Sequence, residues 1–229
     1  MEISRTESDI IAQKLNNEGV FSGGGYDDFH EAGENQFSTL LHFGLKDSSR
    51  VLDIGCGCLR GGRWVIPFLN RNRYFGIEPN KEMLDAGKRI VIGEETLSEK
   101  APTFDTNSEF DFSVFDVIFD YVIARSVWTH SSKEQIEKML DQFLLHSNEK
   151  SIFLTSFLKP RIPIIDDYRG KGWVGKSHES DQPGIARHSL SWIRKACRKR
   201  DLRVTRIDDL DLNYRAQVWL KINRQLSTT

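Results

Sequence analysis

The segment Val51-Leu52-Asp53-Ile54-Gly55-Cys56-Gly57 constrains this chain more than any other. Val51, Leu52 and Ile54 read as a buried strand. Gly55 and Gly57 let the backbone turn sharply there and approach a ligand closely. A helix over about Arg60–Leu69 and a second strand, Arg73–Glu78, follow. Glu78 ends that strand about twenty residues on, where an acid hydrogen-bonds ribose hydroxyls in folds built this way.

A dinucleotide would use a similar cradle, but its fingerprint is Gly-x-Gly-x-x-Gly and the sixth position here is Arg60. Asp53 also stands where that fingerprint is usually apolar. A pyrophosphate beside Asp53 is repelled, whereas an ammonium or sulfonium is attracted. The other reading is an α/β fold that keeps the turn as a relic.

Elsewhere the pattern alternates. Helices are expected at about Ser8–Leu15 and Asp28–Phe43, the latter C-capped by Gly44. Asn80 caps a helix running to about Val91, and a short strand lies near Thr103. Tyr121–Ala124 is a strongly apolar strand. Ser132 and Gln135 have capping-box spacing for the helix over 132–146, and Ser151–Phe157 is another strand. A helix at Leu190–Arg200 and strands at Arg203–Ile207 and Ala216–Ile222 finish the chain. The short connections imply a mainly parallel sheet, with the last two strands as an antiparallel edge hairpin. Residues 158–187, rich in Gly, Pro and charge, are a candidate substrate lid inserted into the domain.

The expected organisation is an N-terminal helical cap over 1–45 and a ligand-binding domain over 46–229. Charges balance, 32 basic against 33 acidic, so net charge gives no sign of nucleic-acid or membrane binding. Three cysteines make no disulfide framework, the start Met1-Glu2-Ile3-Ser4-Arg5 lacks the basic and apolar regions expected of a signal peptide, and the longest apolar stretches, such as Trp64–Leu69, are too short to span a bilayer. A cytoplasmic location is expected.

These residues resemble the class I S-adenosylmethionine-dependent methyltransferases, and within them a bacterial subgroup. The matching text includes Gln36-Phe37, Val51–Gly57, Leu59-Arg60-Gly61-Gly62, Ile66–Leu69, Tyr74–Glu78, Phe119–His130 and Ala216–Trp219. It covers most of the chain from about residue 30, and Arg161–Gly184 is least family-like. Leu59 takes the third glycine position of the general motif, and Trp128 stands where a phenylalanine is usual. The resemblance implies a Rossmann-like, mainly parallel seven-stranded sheet with helices on both faces. It implies S-adenosylmethionine as cofactor, with S-adenosylhomocysteine as product. Asp53, Gly55, Cys56 and Gly57 would cradle the methionine half. Glu78, followed by Pro79, would take the ribose diol. Glu109 and Phe110 would meet the adenine edge, with Asp111 a competitor. Ala124, Arg125 and Ser126 would face the sulfonium.

The expected reaction is O- or N-methylation of a small-molecule or glycan acceptor. A base is needed only when the acceptor arrives protonated. His130, after the fourth strand, is the first candidate, and a packing or capping histidine is the alternative. His178 in the lid is the second. Cys56-x-Cys58 has no second pair, so no metal is expected. Lys159, Arg161, Arg169, Lys171 and Lys176 make the lid basic, which suits an acidic or phosphorylated acceptor. Two rivals stay open. One is an enzyme of the same fold that cleaves or cyclises the cofactor and releases methylthioadenosine. The other is a non-catalytic cofactor-binding partner. Residues 1–30 either close over the site or join two copies into a homodimer.

Overall fold

The computed structural model describes residues 3–20, 25–162, 168–175, 180, 184–209, 211–213 and 216–225. The chain divides into two compact units, Met1–Ser108 and Glu109–Thr229.

In the first unit, helices α1 (Arg5–Asn17) and α2 (Phe29–His42) precede strand β1 (Val51–Ile54). Gly44, at φ +86°, ends α2 as expected. Its N–H reaches the Leu41 carbonyl at 2.9 Å, and the Leu45 N–H reaches Leu40 at 3.1 Å. These paired bonds satisfy carbonyls the helix leaves open. Helix α3 (Gly62–Phe68) is shorter than the sequence suggests, because Gly61 and Gly62 delay its start and Pro67 blocks its continuation. Strand β2 (Tyr74–Ile77) leads to α4 (Lys81–Ala86), where the Asn80 side chain accepts from the Met83 N–H at 3.0 Å. A π-helical stretch, Gly87–Ile92, continues it. Helix α5 (Glu94–Lys100) is new relative to the sequence reading. It buries no residue, so it left no apolar stripe to detect. Strand β3 (Thr103–Asp105) completes this unit.

Helix α1 is fastened through its inner face. Ala12 and Leu15 join Phe29, Cys58, Met83, Ala86 and Val91 in one buried cluster. Ser8, 1% exposed, bonds to His30 Nδ1 at 2.8 Å and accepts from Arg63 at 2.6 Å.

In the second unit, β4 (Phe119–Ala124) and β5 (Ser147–Phe157) run parallel across α6 (Lys133–Leu145). Ser132 and Gln135 form the expected capping box, with bonds of 3.2 and 2.9 Å. Strand β5 begins at Ser147 rather than Ser151. Exposed Asn148, Glu149 and Lys150 hide its start, and the register with β4 shifts between Phe119 and Tyr121. Helix α7 (Leu190–Arg198) and strands β6 (Leu202–Arg206) and β7 (Val218–Arg224) follow. Strand β7 is antiparallel to both β5 and β6, which confirms the terminal hairpin.

Within the first unit the strands run parallel in the order β3-β2-β1, and within the second the order is β4-β5-β7-β6. Continuous burial of β1 and β2 is what parallel strands covered on both faces require.

Candidate active site

In the first unit, β1 and β2 are in register, with Asp53 opposite Gly76. A Cβ at Gly76 would lie 2.9 Å from both the Cys56 sulfur and the Phe104 ring, so the missing side chain leaves room for the turn. That turn is anchored to β2. The Gly55 and Cys56 N–H groups both donate to the Ile77 carbonyl, at 2.8 and 3.2 Å. Gly55, Gly57 and Leu59 take φ values of +67°, +58° and +62°. Glycine adopts this geometry without strain, and Leu59 does so at a cost of about 1–2 kcal/mol. A Cβ at Gly57 would find no atom nearer than Met83, 3.9 Å away. Its backbone therefore borders open space.

Two buried carboxylates bracket the turn. Glu78 is 2% exposed. One of its oxygens accepts from the Gly57 N–H at 2.9 Å and the other from the Asn80 N–H at 2.9 Å. Burial raises its pKa to about 7 against those two bonds. Asp53 is 4% exposed and accepts from the Tyr74 hydroxyl at 2.8 Å. Burial raises it to about 7 as well; the Tyr74 bond opposes the rise, the Glu78 charge adds to it and Arg60 opposes it. A ligand bringing a cation and hydroxyl donors would favour the ionised forms, whereas a pyrophosphate would not. Cys56 and Cys58 are free and buried, and burial pushes the Cys58 thiol up to about 11. Pro79 follows Glu78 and is half-buried.

In the second unit, a polar cluster occupies the carboxyl ends of β4 and β5, the edge where open α/β sheets bind ligands. Ala124, fully buried, ends β4. Ser126 follows at φ +63°. Its N–H donates to Ser156 Oγ at 2.8 Å, and its hydroxyl accepts from the Gln217 amide at 2.9 Å. Ser156 in turn donates to Gln217 Oε1 at 2.7 Å. One terminal nitrogen of Arg125 donates to Ser156 at 3.1 Å and also to Gln217. The guanidinium lies 5.5 Å from the Trp219 ring centre. Sequence reasoning missed Ser156, Gln217 and Tyr74, whose signals are single polar residues beside apolar strand positions.

His130 Nδ1 donates to the Val174 carbonyl at 2.7 Å, and the ring stacks on Trp173 at 5.5 Å. Burial lowers its pKa, although the Val174 and Gly184 carbonyls favour the charged ring. The same corner holds the candidate lid. The Val174 N–H donates to the His130 carbonyl at 2.8 Å and the Ala186 N–H to Thr129 at 2.7 Å. His188 Nε2 donates to the Ser131 carbonyl at 2.8 Å. His178 and Lys176 lie outside the described residues. Glu109 is exposed and paired with Lys138 at 2.6 Å, and Asp111 bonds Ser113. Phe110 is buried with φ +53°.

The family model of a methyltransferase domain matches residues 52–149. That match spans 98 of the 229 residues and likens this stretch to a methyltransferase domain. Solved structures agree with its Rossmann-like fold. A glycopeptide N-methyltransferase, MtfA, complexed with S-adenosylmethionine is 11% identical with a TM-score of 0.65, over 84% of this chain and 94% of that one. The magnesium protoporphyrin IX methyltransferase of Synechocystis with the same molecule bound is 14% identical with a TM-score of 0.62, over 98% and 100%. A S-adenosylmethionine-dependent methyltransferase of Clostridium acetobutylicum is 11% identical with a TM-score of 0.60, over 96% and 99%. No curated protein matches the sequence. The matched residues of the methyltransferase domain include the glycine turn, Glu78, β4 and α6. No helix among the described residues is long and apolar enough to cross a membrane.

Proposed function

We propose that the protein transfers the methyl group of S-adenosylmethionine to an oxygen or nitrogen of a small-molecule or glycan acceptor. The observation that carries this reading is the pair of buried carboxylates at the glycine turn. Glu78 is oriented by the Gly57 and Asn80 N–H groups, and a carboxylate oxygen can accept from more than one donor, ribose hydroxyls included. Asp53 supplies negative charge suited to the amino end of the ligand. Gly55, Cys56 and Gly57 give close backbone approach, and Gly57 borders open space that a side chain would fill. We assign Pro79, Glu109 and Phe110 to the adenosine end, and Ala124 and Ser126 to the sulfur end.

The cofactor brings an activated methyl on a sulfonium, so the protein's task is to orient the acceptor and exclude water. Where the acceptor must lose a proton, His130 is the assigned base. The Val174 carbonyl fixes its proton on Nδ1, and its depressed pKa keeps the ring neutral near pH 7. His178 is a second candidate. Residues 1–45 are proposed as a cap on the domain of residues 46–229.

The test is calorimetric titration with S-adenosylmethionine, S-adenosylhomocysteine and NAD, repeated on Glu78→Ala, followed by product analysis. Micromolar binding, about -8 kcal/mol, is expected for the adenosyl ligands and not for NAD. Release of S-adenosylhomocysteine marks methyl transfer. Methylthioadenosine instead would mark cofactor cleavage, and binding without turnover a non-catalytic partner.

A further inference from the structure

We infer that the outward face of α7 is a docking surface for an anionic lipid bilayer, held by charge and reinforced by two exposed isoleucines. The inference does not depend on the methyl-transfer reading.

Helix α7 is fastened along one stripe, where Ile193, Ala196 and Cys197 are buried. Arg194, Lys195, Arg198 and Lys199 are exposed. At 3.6 residues per turn these four fall within an arc of about 140°, on a ridge about 8 Å long. That arc holds no acid. Among the described residues, none of the four side chains is in an ion pair. Acids nearby are engaged by other cations: Arg200 pairs with Asp141 and lies 3.9 Å from Glu137, and Arg206 pairs with Asp208. Asp201 lies past the helix end, at φ +51°. The balanced net charge of the chain hides this local excess. Arg194 with Arg198, and Lys195 with Lys199, are like charges four residues apart, which weakens a helix. An external anionic surface turns that repulsion into attraction.

Two further observations select a bilayer over a nucleic acid. No aromatic side chain among the described residues is exposed, so the surface offers no ring on which a base could stack. Apolar side chains stand out close by instead. Ile162 is 54% exposed and Ile185 48%. Arg187 donates to the Lys159 carbonyl at 3.1 Å, which ties the chain beside Ile185 to the chain leading into Ile162. Helix α7 begins at Leu190, so at most about 10 Å of backbone separates it from Arg187. Lys159 and Arg161 are exposed on the same stretch. Isoleucines beside lysine and arginine suit a membrane interface, where the apolar groups enter the acyl boundary and the cations meet the headgroups. A phosphodiester backbone gives the isoleucines nothing.

The test is co-sedimentation of the full chain with vesicles of equal parts phosphatidylglycerol and phosphatidylcholine, against vesicles of phosphatidylcholine alone. Binding is expected to the anionic vesicles only, and it should fade as salt shortens the reach of the charges. Lys195→Gln/Arg198→Gln/Lys199→Gln should weaken it by about a hundredfold, since each cation at an anionic surface contributes about fivefold. Lys14→Gln/Lys46→Gln/Lys150→Gln removes the same charge from exposed positions elsewhere and should change binding by about twofold at most. Ile162→Ser/Ile185→Ser should weaken it by about tenfold. All the substituted side chains are exposed, and circular dichroism should show the parent fold in every variant. Absence of binding to the anionic vesicles overturns the inference, and so does equal binding to phosphatidylcholine alone. Equal losses in the two triple variants overturn it by reducing the effect to net charge. Unchanged binding in the isoleucine variant, or release from the vesicles by duplex RNA at equal phosphate concentration, overturns the bilayer as the partner.

Discussion

Tyr74 donates its hydroxyl to Asp53 across the first two strands, at 2.8 Å, and both side chains are buried. This bond is the main force holding the Asp53 pKa down against burial. Tyr74→Phe removes it without removing the ring. The pKa of Asp53 should rise further, so more of it is neutral at pH 7. S-adenosylhomocysteine binding should weaken at pH 7 and recover at higher pH. Calorimetry at two pH values checks this, and equal weakening at both would show that the hydroxyl acts only through packing. The loss of stability should be about 1 kcal/mol.

The wild-type affinity should itself depend on pH. Asp53 and Glu78 titrate near 7 in the folded chain and near 4 when unfolded. Between those values the folded state binds more protons. The stability from the neutral carboxyls is therefore complete below about pH 4 and lost as pH rises through about 7. Ligand binding has the opposite sign, because an ammonium favours the carboxylate. S-adenosylhomocysteine should bind about tenfold or more tightly at pH 8 than at pH 6, while the Tm of the free protein falls over the same interval. A flat affinity profile would show that neither acid changes charge on binding.

Glu78→Gln keeps the shape of the side chain and loses its charge. It should weaken S-adenosylhomocysteine by about tenfold to a hundredfold, since hydrogen bonds to charged groups contribute about 1.5–3 kcal/mol. Circular dichroism should show an unchanged fold, because the amide oxygen still accepts from one of the Gly57 and Asn80 N–H groups and only the other bond is lost.

Gly57 and Gly87 should respond to alanine very differently. At Gly57 there is space, and the cost is the positive φ alone, about 1–2 kcal/mol. At Gly87 a Cβ would lie 2.6 Å from the Cys58 carbonyl carbon and oxygen, which are backbone and cannot rotate away. Gly87→Ala should cost about 3 kcal/mol, measured by urea denaturation, and should weaken cofactor binding by moving the turn.

His130→Ala removes both the Val174 bond and the Trp173 stack. Faster proteolysis within residues 158–187 is expected, together with lower turnover. His130→Gln keeps a donor but no titrating group. If it restores protease resistance but not activity, and the acid limb of the pH–rate profile disappears, His130 is the base. If it restores both, the residue positions the lid.

Much of this was legible in the sequence where one local rule decided the outcome. Gly44 terminates α2 because only a left-handed residue closes those two bonds, and Ser132 with Gln135 starts α6 for an equally local reason. The glycine turn and Glu78 could be read the same way. Helix α5 could not, because it is short and buries nothing. Nor could the Ser126–Ser156–Gln217 cluster, whose members are 30 and 61 residues apart in sequence and meet only through strand pairing. Burial, not motif, sets the charge state of Asp53, and burial depends on the whole unit.

The candidate lid is stitched at adjacent residues, the Val174 N–H bonding the His130 carbonyl and the Ala186 N–H the Thr129 carbonyl. The stretch between those stitches enters and leaves at nearly one point. Its length and composition can therefore change with little entropic penalty, since closing a longer loop adds only about 0.6 kcal/mol per doubling. Grafting the corresponding stretch of a methyltransferase between the two stitches is a direct test of whether this segment selects the acceptor of the proposed reaction.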